Sequence, residues 1–337
     1  MIKRKIREAM AWGYHASKHF LSRLQGQVVI LTYHRVLSKK ELSDQFVQPG
    51  MYVRDDVFDA QMRFLREHFQ ILPFSELLSL WRNNLWDKRT RYCVVTFDDG
   101  WLDNYIHAFP ILKRYAMPAT IFLPTAYVGT NEWFWPDKIG YLLMEMRKRG
   151  MLETWSFWER RCPEFSFPIS ASPAIIDQVI EFCKTLPQTE VQDLIDSLME
   201  LVGGRPFEER MVMSWDEVRE MSASGITFGS HSVYHSILTT LSAEQTTSEV
   251  ADSWRHLQKP GVAALPVFCY PNGGYNGEVA DIVQHVGYQA AVTVRSGWES
   301  DKPRSLFELR RMGVHNDITS TIPLFSWHLA GWNSRAH

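Results

Sequence analysis

Apolar positions along this chain switch between two periods. Val28 to Thr32 is a β-branched run of the kind that forms a buried strand, and it delivers Tyr33, His34 and Arg35 at its C-terminal end. Phe58, Met62, Leu65 and Phe69 then recur at helical spacing, with Asp55 or Asp56 as the expected cap. Tyr92 to Phe97 is a second strand, ending in Asp98-Asp99-Gly100. A helix over roughly 104–115 and a strand over 119–123 follow. Later, Ser214 with Glu217 and Ser242 with Gln245 have capping-box spacing and open two further helices. Strands are predicted at 226–228, 266–270 and 288–294, and a helix at 277–285 that stops at Gly287. Strand–helix alternation of this kind predicts a parallel α/β fold. Between about 131 and 212 the pattern changes to helical stretches broken by prolines at 163, 168, 173, 187 and 206. This segment reads as a mostly helical insertion in one βα connection and not as an independent domain.

Composition narrows the class. The 337 residues are 45% hydrophobic and 22% charged, enough for a sizeable core. A net charge of −2 provides no general basic field, so nucleic acid is not an expected partner. Cys93, Cys162, Cys183 and Cys269 form no CxxC pair, which favours reduced thiols over a disulfide framework. Residues 1–25 are basic, but Trp12, Gly13, Tyr14, His15, Ser17 and Lys18 interrupt any apolar signal region. A cytoplasmic location is expected. Ile2, Ile6, Met10 and Tyr14 recur at helical spacing, which suits either a membrane-surface helix, giving peripheral membrane contact, or a helix packed on its own domain.

The chemistry-bearing residues follow the strands. Asp98 and Asp99 leave a buried strand together, where α/β barrels gather catalytic groups. Taken alone, Asp-Asp-Gly is also an ordinary turn. His231 and His235 follow another strand end, and a four-residue gap on a helical turn would put both imidazoles on one face. One Asp and two His make a facial triad with positions left for water and substrate. Asp98 is then free to act as general base.

These residues resemble the polysaccharide deacetylase (NodB homology) family of carbohydrate esterases. Thr96-Phe97-Asp98-Asp99-Gly100 is similar to its first motif and His231-Ser232-Val233-Tyr234-His235 to its second. Phe268-Cys269-Tyr270-Pro271-Asn272-Gly273 resembles the third, in the form that carries Tyr-Pro. The resemblance covers roughly 28–129 and 212–315. It implies a distorted (β/α)7 barrel, with the helical insertion, that hydrolyses N-acetyl groups on an amino-sugar glycan or on a lipid-linked or nucleotide sugar precursor. It implies Asp98 as base and Asp99, His231 and His235 as ligands of a divalent ion, zinc first, with cobalt, nickel or manganese as alternatives. Tyr270, Pro271 and Asn272 would contact substrate, with backbone near Asn272 holding the oxyanion. Where many members have an Arg in the third motif this chain has Cys269, and Arg311 is the candidate substitute.

Two histidines compete for the general acid. His34 follows the first strand, in a Tyr-His pair that resembles the permuted subset containing poly-N-acetylglucosamine deacetylases. His315 follows the last strand-like run. His34 is favoured, and is expected across the site from Asp98. Trp133 and Trp135 would offer stacking faces to sugars or cap the insertion's own core. The rival functions are deacylation of another amide or ester, and glycan binding without catalysis.

Overall fold

The structure is a computed structural model that describes residues 2–151, 173–204 and 208–332. Cys162 and the prolines at 163, 168 and 206 lie outside the described residues. The strands are β1 (Val28–Tyr33), β2 (Arg35–Leu37), β3 (Tyr52–Arg54), β4 (Gln70–Ile71), β5 (Tyr92–Phe97), β6 (Thr120–Leu123), β7 (Thr227–Ser230), β8 (Ala264–Cys269), β9 (Ala290–Ser296) and β10 (Leu309–Gly313). The long sheet runs β1-β10-β9-β8-β7-β6-β5 and closes where β5 pairs with β1, so seven strands of the described residues form a ring. Every pairing in it is parallel. The short β4 lies beside the start of β5, and β2 pairs with β3 apart from the barrel.

Parallel pairing points all C-terminal strand ends to one mouth, and alternation decides which side chains look into the barrel. Val28, Ile30, Tyr92, Val94, Val267, Cys269, Ala290 and Val292 form one buried cluster. Leu72, Phe74, Leu77 and Leu78 join that cluster at the strand starts, where the helix Phe74–Arg82 plugs the barrel end away from the mouth. Two-residue steps along β1 and β5 continue this inward series to Thr32 and Thr96, and then to His34 and Asp98. The opposite parity on β8 sends Phe268 and Tyr270 outward into a cluster with Val250, Val279, Val283 and Tyr288 from the helix layer.

The two capping boxes at Ser214–Glu217 and Ser242–Gln245 form as expected. The helix Asp55–His68 is different: Arg54 is its N-cap, and Asp55 and Asp56 lie in the first turn, where their charge suits the helix dipole. The helical insertion lies between β6 and β7, and a second segment of the chain clusters with it. Residues 39–51 and 131–211 make a compact unit of their own, while 1–38, 52–130 and 212–337 make the barrel unit. The smaller unit has its own core of Ile139, Leu142, Ile176, Ile180, Leu194, Ile195 and Leu198, so the expectation of a dependent insertion is corrected. Gly140 is needed there, because any Cβ would run into the ring of Phe46. Trp135 packs on this core, and the indole of Trp133 donates to the Glu209 carbonyl and stands edge-on to Tyr141. Trp135 therefore caps the unit's core as one of its two expected roles required.

The N-terminal helix Ile2–Ala16 belongs to the barrel unit. Its packed face carries Ala11, Tyr14 and His15, with Tyr14 edge-on to Trp327 and His15 bonded to the Ser326 hydroxyl. Ile6 and Met10 of the predicted stripe point outward instead.

Candidate active site

The first two catalytic candidates are brought together by strand register. Tyr33 of β1 lies opposite Phe97 of β5, and the Asp98 N–H donates to the Tyr33 carbonyl at 2.9 Å. His34 and Asp98 therefore leave neighbouring strands side by side, and His34 Nε2 stands 3.9 Å from Asp98 Oδ2. The expectation that His34 faces Asp98 across the site is corrected by this register. Asp98 is buried, whereas a quarter of the His34 side chain is exposed, so the imidazole is what the mouth presents.

Arg311 reaches Asp98 from β10, beyond β1. Its Nη1 and Nη2 donate to Asp98 Oδ1 and Oδ2 at 2.7 and 2.8 Å, and its Nε donates to the Thr293 carbonyl at 2.9 Å. A further contact joins Nη2 to Cys269 Sγ at 3.2 Å. The guanidinium is thus fully buried inside the barrel, over the Phe122 ring. Gly229 leaves that ring its space, since a Cβ there would overlap it. Burial alone would raise the Asp98 pKa, but the charge and hydrogen bonds of Arg311 outweigh it and hold the carboxyl below its ordinary value. His34 moves the other way: burial lowers its pKa, against the opposing pull of Asp99 and Asp98.

Asp99, His231 and His235 converge on one point. Asp99 Oδ1 lies 3.5 Å from His231 Nε2 and 3.3 Å from His235 Nε2, and the two rings are 4.7 Å apart between centroids. The helical turn expected for the histidines is absent. Residues 231–235 form a loop in which Ser232 and His235 adopt left-handed backbone, at φ 64° and 57°. Asp99 is also left-handed, at φ 71°. Such positions cost on the order of 1–3 kcal/mol each and persist only where the surroundings over-determine them. Here the His231 N–H donates to Leu123 O, Thr125 and Ala126 N–H donate to Ser232 and Val233 carbonyls, and Glu249 Oε2 accepts from Val233 and Tyr234 N–H.

The donor set suits a cation. His231 Nδ1–H donates to the Cys269 carbonyl at 2.8 Å, which leaves Nε2 with its lone pair toward Asp99. Asp99 Oδ2 accepts from the Trp101 indole at 3.0 Å, which leaves Oδ1 toward both rings. Lone pairs facing a carboxylate oxygen at these distances need a proton or a cation between them. Burial alone would lower the His231 pKa, but Cys269 and Asp99 outweigh it and raise it well above the ordinary value. Orienting contacts of this kind fix the tautomer and direction of metal ligands. Asp98, His231 and Cys269 also come close enough to hold an ion. That set is the poorer one, because Arg311 occupies both Asp98 oxygens with a fixed positive charge, and burial raises the Cys269 pKa and keeps the thiol protonated.

Several supports had no signal in the sequence. Trp101 also lies under Arg35, at 4.6 Å from ring centre to guanidinium. Arg35 Nε donates to Asp103 Oδ2, Val36 N–H to Asp103 Oδ1, and Asn104 Nδ2 to the His34 carbonyl. Asn104–Ala108 is a π-helical turn, a device often found beside functional sites. Together these bonds tie the His34 segment to the segment carrying Asp99. Asn104 and Glu249 stood on predicted helices, but nothing in the sequence named their partners.

Two expectations are corrected. Tyr270 cannot offer its ring to a substrate: it is buried in the outer layer, stacked on Tyr275, with its hydroxyl donating to the Phe307 carbonyl. Its parity on β8 dictates this. Pro271 is buried too, and Asn272 follows with left-handed backbone at φ 52°. His315 pairs with Asp317 at 3.2 Å and its carbonyl accepts from Ile318 and Thr319. It is the N-cap residue of a short helix, while His34 is the histidine beside Asp98.

A profile of the polysaccharide deacetylase family matches residues 87–156 and 198–291. A putative polysaccharide deacetylase, YxkH, of Bacillus subtilis is 25% identical over 288 residues, which is 85% of this chain and 70% of that one. A poly-β-1,6-N-acetyl-D-glucosamine N-deacetylase of Staphylococcus epidermidis is 30% identical over 118 residues, covering 32% of this chain and 40% of that one. Among solved structures, the Streptococcus pyogenes deacetylase PplD, in complex with acetate, shares the fold at a TM-score of 0.56 and 21% identity, covering 87% of this chain and 94% of that one. IcaB from Ammonifex degensii does so at a TM-score of 0.56 and 18% identity, covering 90% and 97%. The family match and the closed seven-stranded barrel show that the chain carries a polysaccharide deacetylase domain.

Proposed function

We propose that the chain is a metal-dependent N-deacetylase of an amino-sugar glycan or its precursor, with zinc the first candidate ion. The observation that carries this reading is the juxtaposition of two units: Asp99, His231 and His235 around one point, and the Arg311–Asp98–His34 line beside it. Asp99, His231 and His235 would hold the ion, which when bound polarises an acetyl carbonyl and makes water more acidic. Asp98 takes the proton of the attacking water, oriented by Arg311. An aspartate held below its ordinary pKa does not keep a proton, and His34, neutral at rest because of burial, is the adjacent acceptor. His34 then gives that proton to the leaving amine as the carbon–nitrogen bond breaks. Acetate and a free amino sugar result. Tyr234, exposed between the two ligand histidines, offers an aromatic face of the kind sugar rings stack on.

The substrate class is tested by acetate release. N-acetylglucosamine oligomers, including β-1,6-linked ones, should release acetate, a chelator should stop it, and added zinc, cobalt, nickel or manganese should restore it. Release that continues after verified metal removal would exclude the metal-dependent reading. Release only from O-acetyl esters would favour the rival deacylase reading.

The general acid is tested separately. His34→Ala should lower turnover by ~10²–10⁴-fold. His315→Ala should stay within a few-fold of the parent, because its contacts are those of a helix N-terminus. The opposite ranking would transfer the role to His315.

A further inference from the structure

The N-terminal helix Ile2–Ala16 is amphipathic in the inverse sense for a helix packed on a barrel. Its inward contacts are made by Ala11, Tyr14, His15 and Arg7, whose guanidinium donates to the Asp317 carbonyl at 3.1 Å. Its outward side carries Ile6, Met10 and Trp12, exposed by 55%, 54% and 67%. Ile6 and Met10 are one turn apart, and Ala9 and Gly13 continue the same surface with little bulk. Single exposed apolar residues are ordinary, but three on one short helix call for a covering surface.

The charge around this surface identifies what covers it. The first 23 residues contain six Lys or Arg and one Glu, in a chain whose net charge is −2. Lys5 and Lys18 are exposed beside the apolar residues. No described helix is long and apolar enough to cross a bilayer. A broad exposed side with Ile6 and Met10 at one edge, Trp12 at the other and exposed Lys5 beside the Trp is the arrangement that lies in the headgroup region of a membrane. A second copy fits less well. It would set two basic helices together, and a stable dimer buries roughly 800 Å² on each partner, far beyond what three side chains supply.

We propose that this face docks the protein on an anionic lipid surface. Arg7 touches the short helix just past β10, and the C-terminal strand ends open on the mouth that holds His34 and Asp98. Docking through this helix therefore sets the mouth's rim near the bilayer, within reach of a glycan that is anchored to lipid or lies at the membrane surface.

Co-sedimentation of the full chain with vesicles tests this. Binding is expected to vesicles of phosphatidylcholine with phosphatidylglycerol as minor component, weakened by salt, and to be small with phosphatidylcholine alone. Ile6→Asp with Met10→Asp should reduce binding ~tenfold or more. Thermal unfolding and turnover of a soluble N-acetylated oligosaccharide should stay unchanged, since both side chains point to solvent. Equal binding by the double variant, or a parent that ignores the anionic vesicles, would overturn the proposal. So would a parent dimer at sedimentation equilibrium that the double variant converts to monomer, which would assign the face to a second copy.

Discussion

Asn in place of Asp98 should leave a divalent ion bound at Asp99, His231 and His235 and lower acetate release by ~10²–10⁴-fold. The substitution keeps size and shape but removes the atom that can take a proton. Arg311 loses one of its two acceptor oxygens and keeps the other, with its Nε bond to Thr293 intact. His34 stays 3.9 Å away with no carboxylate beside it to supply a proton. Metal content measured on the purified variant separates loss of the base from loss of the ion. A near-parental rate with the ion in place would mean that His34 itself acts as base, and Asp98 only as its anchor.

Met in place of Arg311 should destabilise the fold by ~3–5 kcal/mol at neutral pH. Both partners of the ion pair are almost wholly buried, so solvent does not screen what is lost. The variant leaves the Asp98 carboxylate desolvated and without its counter-charge. The sign with pH follows from the direction of the shift. In the parent the Asp98 pKa lies below 3.8, so its contribution is fully present above that value and is lost as pH falls through the folded pKa. In the variant burial is opposed only by His231 and His34, no longer by Arg311, so the pKa rises and protonation on acidification relieves the penalty. The difference between the two proteins, measured by urea unfolding, should therefore shrink from neutral to acid pH. Adding Asp98→Asn to Arg311→Met should recover part of the loss, because a neutral pair replaces an orphaned charge. A difference below ~1 kcal/mol at neutral pH would mean that water or relaxation compensates the carboxylate, contrary to its burial.

Much of this site was legible because its chemistry sits where alternation ends. The runs at 28–32 and 92–97 marked β1 and β5, and the next inward position on each carries His34 and Asp98. Arg311 was legible only by comparison with a motif, since nothing local distinguishes it from Arg310, which points outward to Glu299. The histidine loop brings His231 and His235 to Asp99, but in a loop and not in the helical turn expected. Left-handed Ser232 and His235 depend on Glu249, Thr125 and Ala126, whose contributions are fixed by the tertiary fold. Trp101, Arg35 and Asp103 were missed for the same reason: their partners come from other segments. Tyr270 was misread because a motif position says nothing about which face of β8 it occupies. The N-terminal stripe was read as one face, whereas the packed side is set by Tyr14 and the aromatic residues near Trp327.

The position of β1 in the ring also sets an order of assembly. One edge of β1 pairs with β5, the next strand of the ring in chain order, through the register Val28 to Tyr33 against Tyr92 to Phe97. The other edge waits for β10, the last strand of the ring in chain order, and pairs Leu31 with Met312. Until then a long apolar strand keeps an unpaired edge, the kind of surface that recruits other chains. Closure over so large a sequence separation is also slow. Arg311 rides on that closing strand, so Asp98 gains its counter-charge only when the ring shuts. A ribosome-bound chain that has not yet released β10 would hold Asp99, His231, His235, Asp98 and His34, yet lack the Arg311 cation that holds the Asp98 carboxyl below its ordinary pKa.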